Sequence, residues 1–491
     1  MKLNLHAHRN LTAFQLFFLL SIVSLFAPAH LWCAADCDVA TFSPPRVFST
    51  GGSSYSVVVG DFNSDSKQDF VVDNASGVIV YLGDGLGGFL LPKTFFLGGF
   101  HESLTAGDFN GDGKPDLALP NYPDPSISIL LNDGGGGFGP ATSFGTGDLP
   151  RSIGVGDFNG DTRLDLAVVN GESNDVSILL GNGTGGFGPP ANFPAGIGPY
   201  AVAAGDFDED GNLDLAVSTY GSKEVRILLG DGSGKFTTGA SYSLAGNSFA
   251  IVAADFNHDS HPDLAVSVAN NYPNNHVAIF LGDGSGGFTP GAEIIVPNAL
   301  GLAAADFNFD GELDIAVATY GFNSIAVASG DGTGAFGPAT EHDLKPGGHS
   351  PFDVAAADFN GDRKPDVVTA NFSGDASVLL NLPNVKINVA DSFASELGTV
   401  GRFRVTRTGC TAEPLLVHYT VSGTSHPGTD YKELSGEVTI ETGRANAPIR
   451  IIPFDDTLSE LPETVTISLS ADASYGVLGH SSATITISDN D

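Results

Sequence analysis

The stretch DFNGDGKPDLALP, residues 108–120, places oxygen-bearing side chains at Asp108, Asn110, Asp112 and Asp116, the first, third, fifth and ninth positions of a short acidic line. Acids held this close repel one another unless something offsets their charge. The line returns as DFNSDSKQD from Asp61, DFNGDTRLD from Asp157, DFDEDGNLD from Asp206, DFNHDSHPD from Asp255, DFNFDGELD from Asp306 and DFNGDRKPD from Asp358. Successive copies lie 47, 49, 49, 49, 51 and 52 residues apart. A fixed period of that length marks a propeller or a solenoid.

Within one period, residues 151–188, short apolar runs at Ser152 to Gly156, Leu166 to Val169 and Val176 to Leu180 read as three strands, and a fourth follows Phe187. The acidic line, a polar loop and a glycine-rich GNGTGG hairpin separate them. Four antiparallel strands per period make one propeller blade. The seventh period stops at SVLLNLPN without hairpin or fourth strand, whereas FSPPRVFSTGG at Phe42 repeats the pattern of FGPATSFGTGD at Phe138. A missing strand supplied from the other end of the chain closes a ring and removes two sheet edges. The expected fold is therefore all-β: a seven-bladed propeller of four-stranded blades over residues 40–383, closed by an N-terminal strand, with a C-terminal β-sandwich over residues 385–491.

Calcium prefers six to eight oxygen ligands from a loop that presents side chains at alternate positions and a backbone carbonyl between them. The lines match this with Asp61, Asn63, Asp65 and Asp69; Asp108, Asn110, Asp112 and Asp116; Asp157, Asn159, Asp161 and Asp165; and Asp206, Asp208, Asp210 and Asp214. The remaining three offer Asp255, Asn257, Asp259 and Asp263; Asp306, Asn308, Asp310 and Asp314; and Asp358, Asn360, Asp362 and Asp366. Position seven varies among Lys, Arg, Asn, His and Glu, as a site using only its carbonyl would allow. Seven Ca2+ ions are expected. Glycine, which eases the turn at position six, occurs only at Gly113, Gly211 and Gly311, so the other four loops are expected to bind more weakly. The competing reading is a set of solvated turns capped by Asp and Asn. One copy would leave the two readings even, and seven filled copies favour the metal.

The Asp-Phe-Asn-x-Asp-x-x-x-Asp line, with its apolar strand and Gly-Asp-Gly-x-Gly-Gly-Phe hairpin, resembles the FG-GAP or VCBS repeats of integrin α-subunit propellers and bacterial surface proteins. The resemblance implies calcium in the loops between first and second strands, on the face opposite the usual partner surface, and implies no reaction. The recurring Phe62, Phe109, Phe158, Phe207, Phe256, Phe307 and Phe359 read as packing between blades. On the other face, loops between second and third strands carry Tyr122, Tyr220, Tyr272, Tyr320 and Phe372 near polar residues, Asn121, Asn271 and Asn371 among them. Aromatic faces beside amides suit a glycan or protein partner, and the alternative is that they merely cover the blade ends.

After Pro383 the period ends and seven alternating runs begin, from VKINVA to ATITISDND, the pattern of an antiparallel sandwich. Gly428-Thr-Asp-Tyr431, PFDDTLSELPET and ISDND resemble a Calx-β domain from Val385 to Asp491. That resemblance implies calcium at one end of the sandwich, held by Glu396, Asp430, Asp455, Asp456, Glu460 and Asp491. The alternative is a hydrated acidic rim. Cys410 stands alone in this region.

Residues 1–35 read as a signal peptide: Lys2 and Arg9 precede an apolar run from Leu11 to Ala27, with cleavage after Ala29 or Ala35. An uncleaved anchor is the lesser reading. No later run could span a membrane, so no span is expected in the mature chain. Three cysteines, Cys33, Cys37 and Cys410, cannot form a disulfide framework. The formal charge of -36 argues against nucleic acid or an anionic membrane as partner and for cations. No catalytic motif is present. The chain is accordingly expected to be a secreted or cell-surface calcium-binding scaffold for adhesion or recognition. A polysaccharide lyase-like enzyme or a lectin is the alternative, with Arg226, Lys223 and His276 the nearest groups for chemistry, and His258 and His261 expected to face solvent.

Overall fold

The computed structural model describes residues 40–490 apart from 75, 99–100, 270–274, 348, 410, 412, 458, 460, 473 and 478. The leader, all three cysteines, Tyr272, Asn271, Glu460 and Asp491 therefore lie outside the described residues.

Among the described residues, seven four-stranded antiparallel sheets follow one another along the chain. In the third, Pro150–Gly156, Asp165–Asn170, Asp175–Leu179 and Ala191–Pro194 pair in that order. The second strand is buried along its whole length, because a sheet stands against each of its faces, and this explains its continuous apolar run where a half-exposed strand would alternate. First strands are rich in glycine and alanine, as in PYAVAAG at Pro199–Gly205, since seven of them crowd one axis. The seventh sheet joins Pro351–Ala357, Asp366–Asn371 and Asp375–Leu379 to Arg46–Ser49, with Arg46 opposite Val378 and Ser49 opposite Asp375. The ring closes with the N-terminal strand, as the truncated seventh period requires.

Each acidic loop also welds its blade to the next. The loop phenylalanines are at most 2% exposed, and each meets, edge to face, a phenylalanine of the following blade: Phe62 with Phe138 at 6.1 Å, Phe158 with Phe236 at 5.7 Å, Phe207 with Phe288 at 5.5 Å. Phe359 of the last blade meets Phe89 of the first at 5.5 Å. The same phenylalanine carbonyls accept an N–H from the next hairpin, such as Gly136 to Phe62 at 3.0 Å and Gly87 to Phe359 at 2.9 Å. Where the seventh hairpin is missing, the N-terminal Phe42 stands 6.0 Å from Phe307, and Asn381 Nδ2 donates to the Phe307 carbonyl at 2.6 Å.

The C-terminal region forms two sheets: Asn446–Ile451, Gly401–Arg407, Asn384–Asp391 and Gly476–Val477 in one; Phe393–Ser395, Ser482–Ser488, Glu463–Leu469, Leu415–Gly423 and Glu437–Ile440 in the other. Two short parallel-paired strands, Phe393–Ser395 and Gly476–Val477, add to the seven expected. They were too brief to show alternation. Alternate residues Phe403, Val405, Ile449, Ile451, Val465, Ile467, Ile485 and Ile487 fill the core between the sheets. Asn384 Nδ2 donates to the Phe42 carbonyl at 3.0 Å, tying the first sandwich strand to the segment that closes the propeller. Among the described residues, no helix is long and apolar enough to cross a membrane.

Candidate metal sites and the opposite face

Each acidic loop is shaped by its own carboxylates. In the first, both Asp61 oxygens accept backbone N–H groups, from Asp65 at 3.0 Å and Ser66 at 2.8 Å, while Asn63 Oδ1 accepts from Asp65 and Asp65 Oδ1 from Lys67, each at 3.0 Å. Positions four and six are left-handed in all seven copies, with φ from 56° at Glu209 to 78° at Gly361 and from 66° at Ser66 to 96° at Gly311 respectively. Glycine at position six is thus no condition for the turn. Ser66, Thr162, Ser260 and Arg363 adopt it too, at a cost of roughly 1 kcal/mol each.

Position nine differs from the other three. Asp69, Asp116, Asp165, Asp214, Asp263, Asp314 and Asp366 are wholly buried. In Asp116, Oδ2 accepts the Phe109 N–H at 3.0 Å and Oδ1 the Asn132 N–H at 2.8 Å, and every copy repeats the two-sided bridge between loop and third strand. Sequence reading nominated these aspartates as ligands and missed that they are also struts. Each oxygen keeps a further lone pair except Asp314 Oδ2, which also accepts the Asn308 N–H at 3.1 Å. Burial, aided by neighbouring loop carboxylates, raises Asp69, Asp116, Asp165, Asp214 and Asp263 to about 6 and Asp314 to about 8.

The hairpin acids provide a control. Asp133 also accepts two turn N–H groups, from Gly135 at 2.7 Å and Gly137 at 3.0 Å, and these bonds lower its pKa, as they do for Asp283 together with Ser285. Simple solvated turns therefore favour the ionised acid here, whereas burial and mutual repulsion oppose ionisation of the ninth aspartates of the loops. An all-oxygen set under that stress fits a hard divalent cation. In the fourth loop, Asp206, Asp208 and Asp210 each bring one oxygen within 4.8 Å of the others.

Side chains of the loops also make contacts of their own. Position-seven side chains are not idle: Lys67, Lys114 and Arg163 lie 3.4, 3.3 and 3.5 Å from the position-five acids Asp65, Asp112 and Asp161, contacts worth little at this exposure. His258 faces solvent as expected and His261 is partly exposed, and each also makes a contact to a neighbouring loop. His258 pairs with Glu312 of the sixth loop and His261 with Glu209 of the fourth.

At the sandwich rim the acids arrive from separate segments. Asp430, its side chain 10% exposed, accepts the His426 N–H at 2.6 Å. Burial works to raise its pKa, but hydrogen bonds from the His426 N–H and with Glu463 leave it lowered. His426, Asp430 and Glu463 bring one ligand atom each within 4.8 Å. Glu463 was missed; its signal was the second acid of SELPET, at the start of a strand that pairs Glu463 with Ile487. Asp455 and Asp456 are exposed, with Asn490 Nδ2 3.4 Å from Asp455 Oδ1. Glu396 is buried, its N–H donating to Ser488 at 3.3 Å.

On the opposite face the sequence overlooked an inner ring. The residue six before each acidic line is Tyr55, Glu102, Arg151, Tyr200, Phe249, Leu300 or Phe352, and all seven line the mouth of one axial cavity of about 320 Å³. Neighbours touch around the ring: Phe352 and Tyr55 at 5.1 Å, Glu102 and Arg151 at 2.5 Å, Arg151 over Tyr200 at 4.9 Å, Tyr200 and Phe249 at 5.1 Å. Three expected partner residues form a tier on this ring: Tyr220 meets Phe249 at 5.7 Å, while Phe372 meets Tyr55 at 5.7 Å and Tyr320 at 6.1 Å. Tyr122 is half-buried in its blade-end loop. The ring's signal was available: one bulky residue before each run of small ones. Of the groups considered for catalysis, Arg226 is paired with Glu224 at 2.6 Å and His276 is buried.

An FG-GAP-like repeat model matches residues 61–119, 108–168, 157–217, 210–266, 266–317 and 306–369, and a Calx-beta domain model matches residues 381–491. The chain belongs to the FG-GAP-like repeat family and carries a Calx-beta domain. Both are non-enzymatic domain types, and Calx-beta homologues bind calcium. The apo-form Calx CBD1 domain is similar at 24% identity, over 22% of this chain and 98% of that one, with a TM-score of 0.19. The calcium-binding domain CBD12 of CALX1.1 is 24% identical over 22% of this chain, with a TM-score of 0.19, and the match spans only 45% of that protein. A protein from Lactobacillus plantarum is 12% identical over 62% of this chain and 96% of its own, with a TM-score of 0.46. No curated protein matches the chain.

Proposed function

We propose that this is an exported calcium-loaded scaffold, secreted or held at the cell surface, that uses the propeller face opposite its acidic loops for adhesion or recognition. The observation that carries this reading is the sevenfold loop: one backbone shape, four oxygen side chains, and a buried ninth aspartate whose ionisation burial opposes. Positions one, three, five and nine hold calcium with the position-seven carbonyl, one ion per loop, and Glu396, Asp430, Asp455, Asp456 and Glu463 hold more at the sandwich rim. The ion supplies positive charge where each blade is welded to the next. The chain's own residues do the rest: they fix the turn, exclude water from the phenylalanine joint and keep the far face rigid. Extracellular calcium modules bind at about 10⁻⁴ to 10⁻³ M, so the loops fill outside a cell and empty inside one.

The partner is an extracellular protein or glycan that meets the aromatic tier of Tyr220, Tyr320 and Phe372. A glycan array probed with the full chain in calcium and in chelator, its eluates checked for cleaved sugar, tests this. Calcium-dependent capture without cleavage, reduced by Tyr320→Ala, is expected. Cleaved product would overturn the scaffold reading in favour of an enzyme.

A further inference from the structure

The mouth of the axial cavity has a chemistry of its own. Four of its seven ring positions are aromatic: Tyr55, Tyr200, Phe249 and Phe352. The lining also includes the hydroxyls of Ser103 and Ser152 and the carboxylate of Asp353, set among small and apolar residues such as Val58, Val155, Val202 and Ala303. Asp353 is fixed in place: Oδ2 accepts Ser56 Oγ at 3.0 Å and the Val57 N–H at 3.1 Å, and Oδ1 accepts the Val354 N–H at 2.9 Å. The neighbouring blade makes room for it. A Cβ on Gly301 would lie 2.6 Å from the Asp353 Cα and 2.7 Å from its Oδ1, so only glycine fits beside this acid.

We propose that this mouth is a binding subsite for the terminal ring of a neutral saccharide. A pyranose offers apolar C–H faces to aromatic rings and hydroxyl donors to carboxylate and serine oxygens. The cavity of about 320 Å³ takes one or two such rings, at the small end of ordinary ligand pockets. Charge decides which saccharide. Arg151 is the ring's one cation and is already answered by Glu102 at 2.5 Å, Asp353 adds negative charge, and the chain carries -36. A uronate or sulfated sugar is repelled there. A cationic amine would have to shed its hydration beside Arg151, the ring's own cation, and is disfavoured as well. This subsite rests on the reading of the same face as a recognition surface and narrows its partner to a neutral glycan end.

The test is saturation-transfer NMR of the full chain in millimolar calcium against methyl glucoside, methyl galactoside, methyl mannoside, methyl glucuronide and methyl glucosaminide. Transfer to at least one neutral glycoside is expected, with signals from the uronide and the amino sugar several-fold weaker. Phe249→Ala should cut the transfer at least tenfold and Asp353→Asn several-fold, with unchanged melting temperatures showing that the ring is intact. If Asp353→Asn fails to fold, Glu102→Gln serves as the second polar variant. Transfer undiminished in Phe249→Ala would place the sugar elsewhere and overturn the subsite while leaving glycan recognition standing. Preference for the uronide or the amine, or silence with all three neutral glycosides, would overturn it outright. Capture of a protein by the same face would then keep the broader function.

Discussion

The propeller loops and the sandwich rim gather acids in opposite ways. Each loop collects four oxygen side chains from nine consecutive residues, and its own N–H groups shape the turn before any neighbouring blade is needed. At the rim, Asp430 and Glu463 come from separate segments and reach His426 only once Leu415–Gly423 and Glu463–Leu469 have paired, while Asp455 and Asp456 stay exposed and Glu396 is buried. A loop is therefore a local device repeated seven times, and the rim a single product of the finished fold. Metal bound to the loops should act on the blade joints one by one, whereas metal at the rim should act on the sandwich as a whole.

Removing calcium should have the largest effect and should separate the two regions. A site filled at a hundredfold excess over its Kd stabilises the folded state by roughly 2.7 kcal/mol, and the propeller has many sites to lose. Calorimetry of the full chain in calcium and in chelator should show the propeller transition falling further than that of the sandwich. A sandwich that falls further would break the comparison.

Next in size is a contrast inside one loop. Asp116→Ala strands the buried Asn132 N–H, leaves the Phe109 N–H only its 3.1 Å contact to the Gly107 carbonyl, and should cost about 1–3 kcal/mol in calcium and in chelator alike. Asp112→Ala, at the exposed fifth position, should cost under about 1 kcal/mol in chelator and show its main effect only when calcium is present. Urea midpoints of the two variants in both buffers measure this. Equal losses in chelator would mean that the ninth aspartate is no strut.

The pH dependence follows in sign from burial. Asp69, Asp116, Asp165, Asp214 and Asp263 are raised above the ordinary 3.8 to about 6, Asp314 to about 8 and Asp366 well above 3.8, so the folded chain binds more protons than the unfolded one across that window. Stability in chelator should fall as pH rises from about 4 through 6 and onward to 8. Calcium should flatten that slope, and urea titrations at pH 5 and 7.5 would reveal it. The smallest effect is expected at position six: Arg363→Gly and Thr162→Gly relieve a left-handed residue and should add about 0.5 kcal/mol each, with tighter calcium binding in those loops.

The contrast between local and assembled features also explains what could be read in the sequence. Blade count, ring closure and the acidic loops were legible because each is written within one period or by comparing two ends of the chain. The ninth aspartate's double hydrogen bond was not, since its partner at Asn132 or Gly181 lies a strand away. Glu463 and the links between His258 and Glu312 and between His261 and Glu209 depend on pairing between segments and between blades. The axial ring was half legible. One bulky residue before each inner strand recurs in every period, but only the fold sets Tyr55 beside Phe352, almost three hundred residues apart.

The most direct measurement is an ion count. Equilibrium dialysis of the full chain against calcium, followed by elemental analysis, should find at least one ion for each of the seven loops. The pair of substitutions Asp108→Asn and Asp112→Asn should lower the count by one, leaving the rim untouched. A count no greater than the sandwich rim alone could hold, unchanged by those substitutions, would contradict the account.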